Sequence, residues 1–101
     1  MQVKKDALNN LVISLYSIGG GSNYKAAEAI ESFLQEYPSK IKRPIPYSKI
    51  AWGREGETDF CISLAELNAD EKRIFTERVR ELIKPFELIH FYENHPCREL
   101  K

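Results

Sequence analysis

No apolar run in this 101-residue chain approaches the roughly 18 to 20 residues that a membrane-spanning helix needs. The N-terminal stretch MQVKKDALNN has lysines but no uninterrupted apolar segment with a cleavage site behind it. These two absences predict a cytoplasmic protein with no membrane association. Cysteine is scarce as well. Cys61 and Cys97 are the two cysteines of the chain and form no C-x-x-C pair, so neither a disulfide-dense scaffold nor a four-cysteine zinc site is indicated, and a single disulfide stays open. Net charge is also lacking, because 15 bases balance 15 acids. A neutral chain with 43% hydrophobic and 30% charged residues fits one globular domain over residues 1–101, with a single core, and does not fit a disordered or fibrous chain.

Nucleotide-binding motifs are missing too, although SIGGGSNYKAAEAI, residues 17–30, has three glycines ahead of a helix start. A phosphate loop needs G-x-x-x-x-G-K followed by a hydroxyl residue, and here Lys25 has no glycine before it and Ala26 after it. The dinucleotide fingerprint fails because Tyr24 stands where the third glycine belongs. The glycines therefore read as a bend between two helices, the first supplying the left-handed residue that ends a helix. A strand in place of the first helix would restore some weight to a nucleotide site.

What is present is a succession of about six elements. In DALNNLVISLYSI, Ala7, Leu8, Leu11, Val12, Leu15, Tyr16 and Ile18 recur at helical spacing, with Ile13 as the misfit. This predicts a first helix, with a buried strand over 11–18 as its rival. Ala26, Ala27, Ile30, Phe33, Leu34 and Tyr37 predict a second helix, capped by Ser22 or Asn23 and stopped by Pro38. After an extended lead-in with two prolines, Tyr47, Ile50 and Trp52 form a strand, GREGET a turn and DFCISL a second strand. Asn68 followed by Glu71 is an asparagine version of the capping box, opening a helix that presents Phe75, Val79, Leu82 and Phe86. FELIHFY is a last strand, apolar on both faces and so expected at an inner position of the sheet. The fold class expected is α+β in two layers: a helical hairpin, a β-hairpin, a helix and a strand (ααββαβ), with a small, mostly antiparallel sheet and the last helix crossing over to bring in the last strand.

Candidate chemistry is thin. His90, Glu93, His95 and Cys97 are ligand types, but their spacing matches no metal motif and places no base beside a nucleophile. No catalytic residue, metal or cofactor is therefore assigned, and the chain is expected not to be an enzyme.

Charge layout is more telling. Residues 1–54 hold 8 bases against 4 acids, and residues 55–101 hold 7 against 11. Lys40, Lys42, Arg43, Lys49 and Arg54 form a basic block without an intervening acid, followed at once by Glu55, Glu57, Asp59, Glu66, Asp70 and Glu71 without a base. Carboxylates on a hairpin tip and a helix start suit the basic groove of another protein, with Tyr47 and Tyr92 as aromatic anchors. The expected function is a protein-binding module of the immunity or antitoxin type that neutralises a basic, nuclease-like toxin. The alternative is nucleic-acid binding through the basic block, with aromatics stacking on bases. A third account leaves the charges to local work, the acids favouring a helix dipole and Arg54 facing Glu57 or Asp59 across the hairpin. An exposed strand edge would also allow two copies to pair as a homodimer.

Overall fold

A computed structural model describes residues 10–16, 24–53, 57–86, 89–94 and 97. Its elements run β1 (Asn10–Leu15), α1 (Tyr24–Ile41), β2 (Tyr47–Trp52), β3 (Glu57–Ser63), α2 (Ala69–Ile83) and β4 (Ile89–Glu93). The class is α+β, a four-stranded antiparallel sheet with two helices. The order is βαββαβ, however, and the expected helical hairpin is replaced by a strand and a helix. Asn10–Leu15 is a strand buried on both faces between β3 and β4: Leu11, Val12, Ile13 and Leu15 are all core residues. Ile13, which misfits the helical pattern, is fully buried.

The strands lie in the order β2-β3-β1-β4, each neighbouring pair antiparallel. Thus α1 carries the chain from β1 past β3 to β2, and α2 carries it from β3 past β1 to β4. Two interlocked split β-α-β units of this kind make the connectivity called ferredoxin-like. The crossover by the last helix is as expected. The inner position expected for the last strand is not: β4 is an edge strand, since β1 occupies the interior place, and the apolar residues of β4 are only half-buried.

Alternation fixes the two faces. Leu11, Ile13 and Leu15 of β1 pair with Ile62, Phe60 and Thr58 of β3 and face the helices. There Phe60 and Ile62 meet Ala26, Ile30 and Leu34, one turn apart on α1, and Phe75 and Val79 on α2. Phe33, Tyr37 and Phe75 stack between the helices at centroid distances of 4.9 to 5.6 Å. The other face carries a separate small cluster of Val12, Ile50 and Cys61 with Tyr92 against it. Cys61 is joined there to Cys97 by a disulfide that closes a separation of 36 residues.

Pro38 does not stop α1, which runs on to Ile41. A proline in a helix loses its amide bond and crowds the carbonyl four residues earlier, a cost that disfavours it there, yet α1 continues for three residues beyond it. The stop comes at Lys42, whose backbone is left-handed with φ 59°; its amide and that of Arg43 both donate to the Pro38 carbonyl, at 2.8 and 3.3 Å. The start signal of α2 behaves as read. Asn68 Oδ1 accepts the Glu71 amide at 2.8 Å and Glu71 Oε1 accepts the Asn68 amide at 2.9 Å, a complete capping box. The Ser22 or Asn23 cap and the glycines at 19–21 lie outside the described residues. The described elements on either side are a strand and a helix in place of the two helices expected, the element order of a phosphate loop but without its motif.

Two outcomes follow from this backbone. Lys42→Gly, which removes a Cβ from a left-handed residue, should raise stability by about 0.5 to 1 kcal/mol in chemical denaturation. Cys97→Ser should lower it by about 3 to 4 kcal/mol, the loop-closure effect for a crosslink of this span; an unchanged denaturation midpoint would show that the bond does not constrain the unfolded chain.

Candidate functional site

The hairpin places its acids by strand alternation. Glu57 and Asp59 both fall on the face away from the helices, opposite Trp52 and Ile50 in register. They are buried, Glu57 at 9% and Asp59 at 3% exposure, which is rare for carboxylates unless they are partnered. Asp59 Oδ1 accepts the indole N–H of Trp52, its diagonal neighbour, at 2.7 Å. Glu57 folds back over Gly53. That residue has φ +75°, so its backbone requires glycine, and a Cβ on it would displace the end of the Glu57 side chain.

On the same face runs a row of rings. Tyr16 meets Trp52 edge-on at 5.1 Å and His90 edge-on at 4.6 Å, and His90 stacks with Tyr92 at 6.2 Å. The row crosses the sheet from one edge strand to the other at the end where the hairpin turns. Sequence reading missed this assembly, because Tyr16, Trp52 and His90 are 36 or more positions apart in the chain and only the register joins them. The one available signal was the β-branched and aromatic content of each strand.

Register also sets Asp59, Ser14 and His90 side by side on adjacent strands. These are the residue types of a hydrolase triad, but in the wrong sequence across the sheet. A nucleophilic serine needs histidine between itself and the aspartate, and here serine stands between them. Ser14 is moreover 2% exposed, and Asp59 is engaged by Trp52. The ligand-type residues named from the C-terminal end are also parted: Glu93 faces the helices and pairs with Arg80, His90 lies on the opposite face, Cys97 is in the disulfide, and His95 lies outside the described residues. Among the described residues no three His, Cys, Asp or Glu side chains gather as metal ligands would.

The remaining acids sit elsewhere. Glu66, Asp70 and Glu71 lie at the far end of β3, around the start of α2, while Glu55 lies outside the described residues. Glu66 and Asp70 are exposed, and Asp70 reaches Arg73 only at 3.9 Å. Glu71 has both oxygens engaged, one in the capping box and the other on Arg43 Nε at 3.3 Å. The five described acids therefore do not form one face. Nor do the bases form a stripe: Arg43 is tied to Glu71, Lys49 to Glu31 at 3.2 Å with its ammonium over the Phe60 ring, Lys40 and Lys42 are exposed around the end of α1, and Arg54 lies outside the described residues. Tyr47 donates to Glu31 Oε2 at 3.1 Å on the helix side, so it stands apart from Tyr92. Contiguous charge in the sequence is thus spent largely on contacts within the fold.

The Asn68 amide, and then Arg43, hold the Glu71 carboxyl below the usual glutamate range. A depressed folded-state value stabilises the fold above the unfolded value, and that contribution fades as pH falls through the folded one. Wild type should therefore lose stability relative to Glu71→Gln as pH drops below about 4.3, measured as the difference in denaturation midpoint across an acid series. Parallel curves would show that the capping carboxylate does not titrate with folding.

Among the described residues no helix is long and apolar enough to cross a membrane. Comparison of the chain with protein-family models, with curated proteins and with solved structures gave no match.

Proposed function

We propose that this chain is a non-catalytic protein-binding module whose partner presents a basic surface, in the manner of an immunity or antitoxin-type inhibitor of a nuclease-like toxin. The observation that carries this reading is the row of rings Trp52, Tyr16, His90 and Tyr92 on the same sheet face as the buried carboxylates Glu57 and Asp59, with Trp52 hydrogen-bonded to Asp59. Aromatic faces backed by anionic groups favour lysine and arginine side chains, the more so where water is displaced. Rings also give large contact area at low entropic cost, which is the composition of binding hot spots. The helix-start acids Glu66 and Asp70 are exposed at the opposite end of β3 and would act on approach rather than in the contact itself, by speeding encounter.

The nucleic-acid alternative through Lys40, Lys42, Arg43, Lys49 and Arg54 has less behind it. Arg43 and Lys49 are already paired within the fold, and the buried carboxylates Glu57 and Asp59 on the ring face would repel phosphates. The Cys61–Cys97 bond further favours an oxidising compartment over the cytoplasm expected from sequence.

The test is affinity capture with the tagged chain from its native extract at low and at about physiological salt, with and without nuclease. A basic protein that survives nuclease treatment is expected, with retention reduced about tenfold by Glu57→Gln and unchanged by Glu28→Gln on the outer side of α1. Recovery of nucleic acid, or equal retention of the Glu57→Gln chain, would overturn the reading.

A further inference from the structure

The hydrogen-bond pattern of the ladder fixes which backbone groups point away from the sheet at its two edges. The Asn94 amide donates to the Asn10 carbonyl at 2.8 Å, so in the register of β1 with β4 the even-numbered residues exchange bonds and the odd-numbered ones do not. Ile89, Phe91 and Glu93 therefore turn their N–H and C=O groups outward from β4, an edge strand. At the other edge the Ser63 amide donates to the Pro46 carbonyl at 2.8 Å, which by the same alternation turns Tyr47, Lys49 and Ala51 of β2 outward.

The two edges differ in what stands beside those groups. In β2, Ser48, Lys49 and Ala51 are exposed, and Lys49 sits near the middle. A lysine on an edge is one of the devices that keep sheets from joining, and an antiparallel β2 pair centred on it would set two ammonium groups face to face. In β4, Ile89, Phe91 and Tyr92 are half-buried, and the strand has neither lysine nor proline. Arg80 lies over the Phe91 ring, but its charge is met by Glu93. Beyond the strand, Asn94 turns with φ 53°, and the disulfide holds Cys97 against β3, inward of this edge.

The sequence of β4 also complements itself. Outward residues can bond only with outward residues, and among the antiparallel registers this allows, the one centred on Phe91 uses the whole strand. It sets Phe91 against its own copy, and Ile89 against Glu93, in bonded pairs on the helix side. On the other face it sets His90 against the second copy's Tyr92 in the closer, non-bonded pairs, where aromatic rings across strands attract. These two rings already stack within one chain at 6.2 Å. The ring rows of the two copies would meet at the two-fold axis.

We propose that a second copy of this chain adds to the β4 edge, antiparallel and centred on Phe91, joining the two four-stranded sheets in a closed two-fold dimer. A pairing this short buries little area, so the dimer is reversible, with a dissociation constant on the order of 10 to 100 µM. It does not depend on the basic partner proposed above.

The experiment is amide hydrogen exchange by NMR on the full, disulfide-bonded chain at about 30 µM and about 1 mM, with sedimentation velocity over the same range. Exchange at Ile89, Phe91 and Glu93 should slow about fivefold at the higher concentration, with no change at Tyr47, Lys49 and Ala51, and the mass should rise to that of a dimer and stop there. Glu93→Pro should weaken the dimer about tenfold relative to Glu93→Ala, since both lose the carboxylate and only the first loses an outward amide. Ala51→Pro, the same change on the β2 edge, should leave it at wild-type strength. A monomer at about 1 mM, slowed exchange at β2 or on the helices instead, assembly growing past two copies, or equal dimers from the two Glu93 variants would each overturn the proposal.

Discussion

Burial of β1 on both faces is the constraint from which the remaining structure follows. Six residues, Asn10–Leu15, lie between β3 and β4, and each must suit the layer it faces. Leu11, Ile13 and Leu15 set the floor on which both helices rest, and Val12 and Ser14 set the opposite face. A one-residue slip would send Ser14 into the helix-side core and Leu15 onto the ring face, so the register is strongly specified. The same register places Ser14 between Asp59 and His90 and Val12 beside Cys61.

The parts of the fold that could be read from sequence are those governed by local chemistry. Asn68 and Glu71 identify the start of α2 because both partners of the capping box lie within one turn. The hairpin between β2 and β3 is legible from its glycines and from alternation, and Gly53 shows why, with a left-handed backbone against a carboxylate. By contrast β1 is ambiguous in isolation. A strand buried on both sides shows no alternation, and Leu8, Leu11 and Leu15 happen to fall at helical spacing. The mistaken inner place for β4 has the same root, since only one of the two apolar strands occupies the centre, and sequence does not rank them. Pro38 misleads for another reason: the end of α1 is decided by the left-handed Lys42, a residue type with no marked preference for that conformation.

The candidate site was partly legible, and the division is physical. Read from sequence, Glu57 belongs to the turn and Asp59 starts the strand, whereas β3 begins at Glu57 and so fixes both to one face. Glu66 and Asp70 belong to the same run of acids, yet β3 separates them from Glu57 by roughly 20 Å. A block of like charge read along the chain becomes a surface only where the backbone turns back on itself. Here it does so against the basic block, joining Arg43 to Glu71 across the lead-in to β2 and the start of α2. Charges distant in sequence and opposite in sign have been used to fasten elements together, which is why neither block survives as a continuous face.

Among the described residues the second sheet face carries no helix, and three devices occupy it. The cystine Cys61–Cys97 crosses the small cluster of Val12 and Ile50, the ring row covers the hairpin end, and Trp52 closes over Asp59. Each is polarisable or able to hydrogen-bond at its outer side and apolar beneath, unlike an aliphatic layer, which would demand complete covering. Among the described residues every buried side-chain nitrogen and oxygen has a partner, so the face is finished without being sealed. A surface of that composition tolerates water when alone and loses little polar bonding when a cationic side chain replaces it. That combination is what distinguishes the ring face from the helix side, where exposed charges already pair with one another along α2.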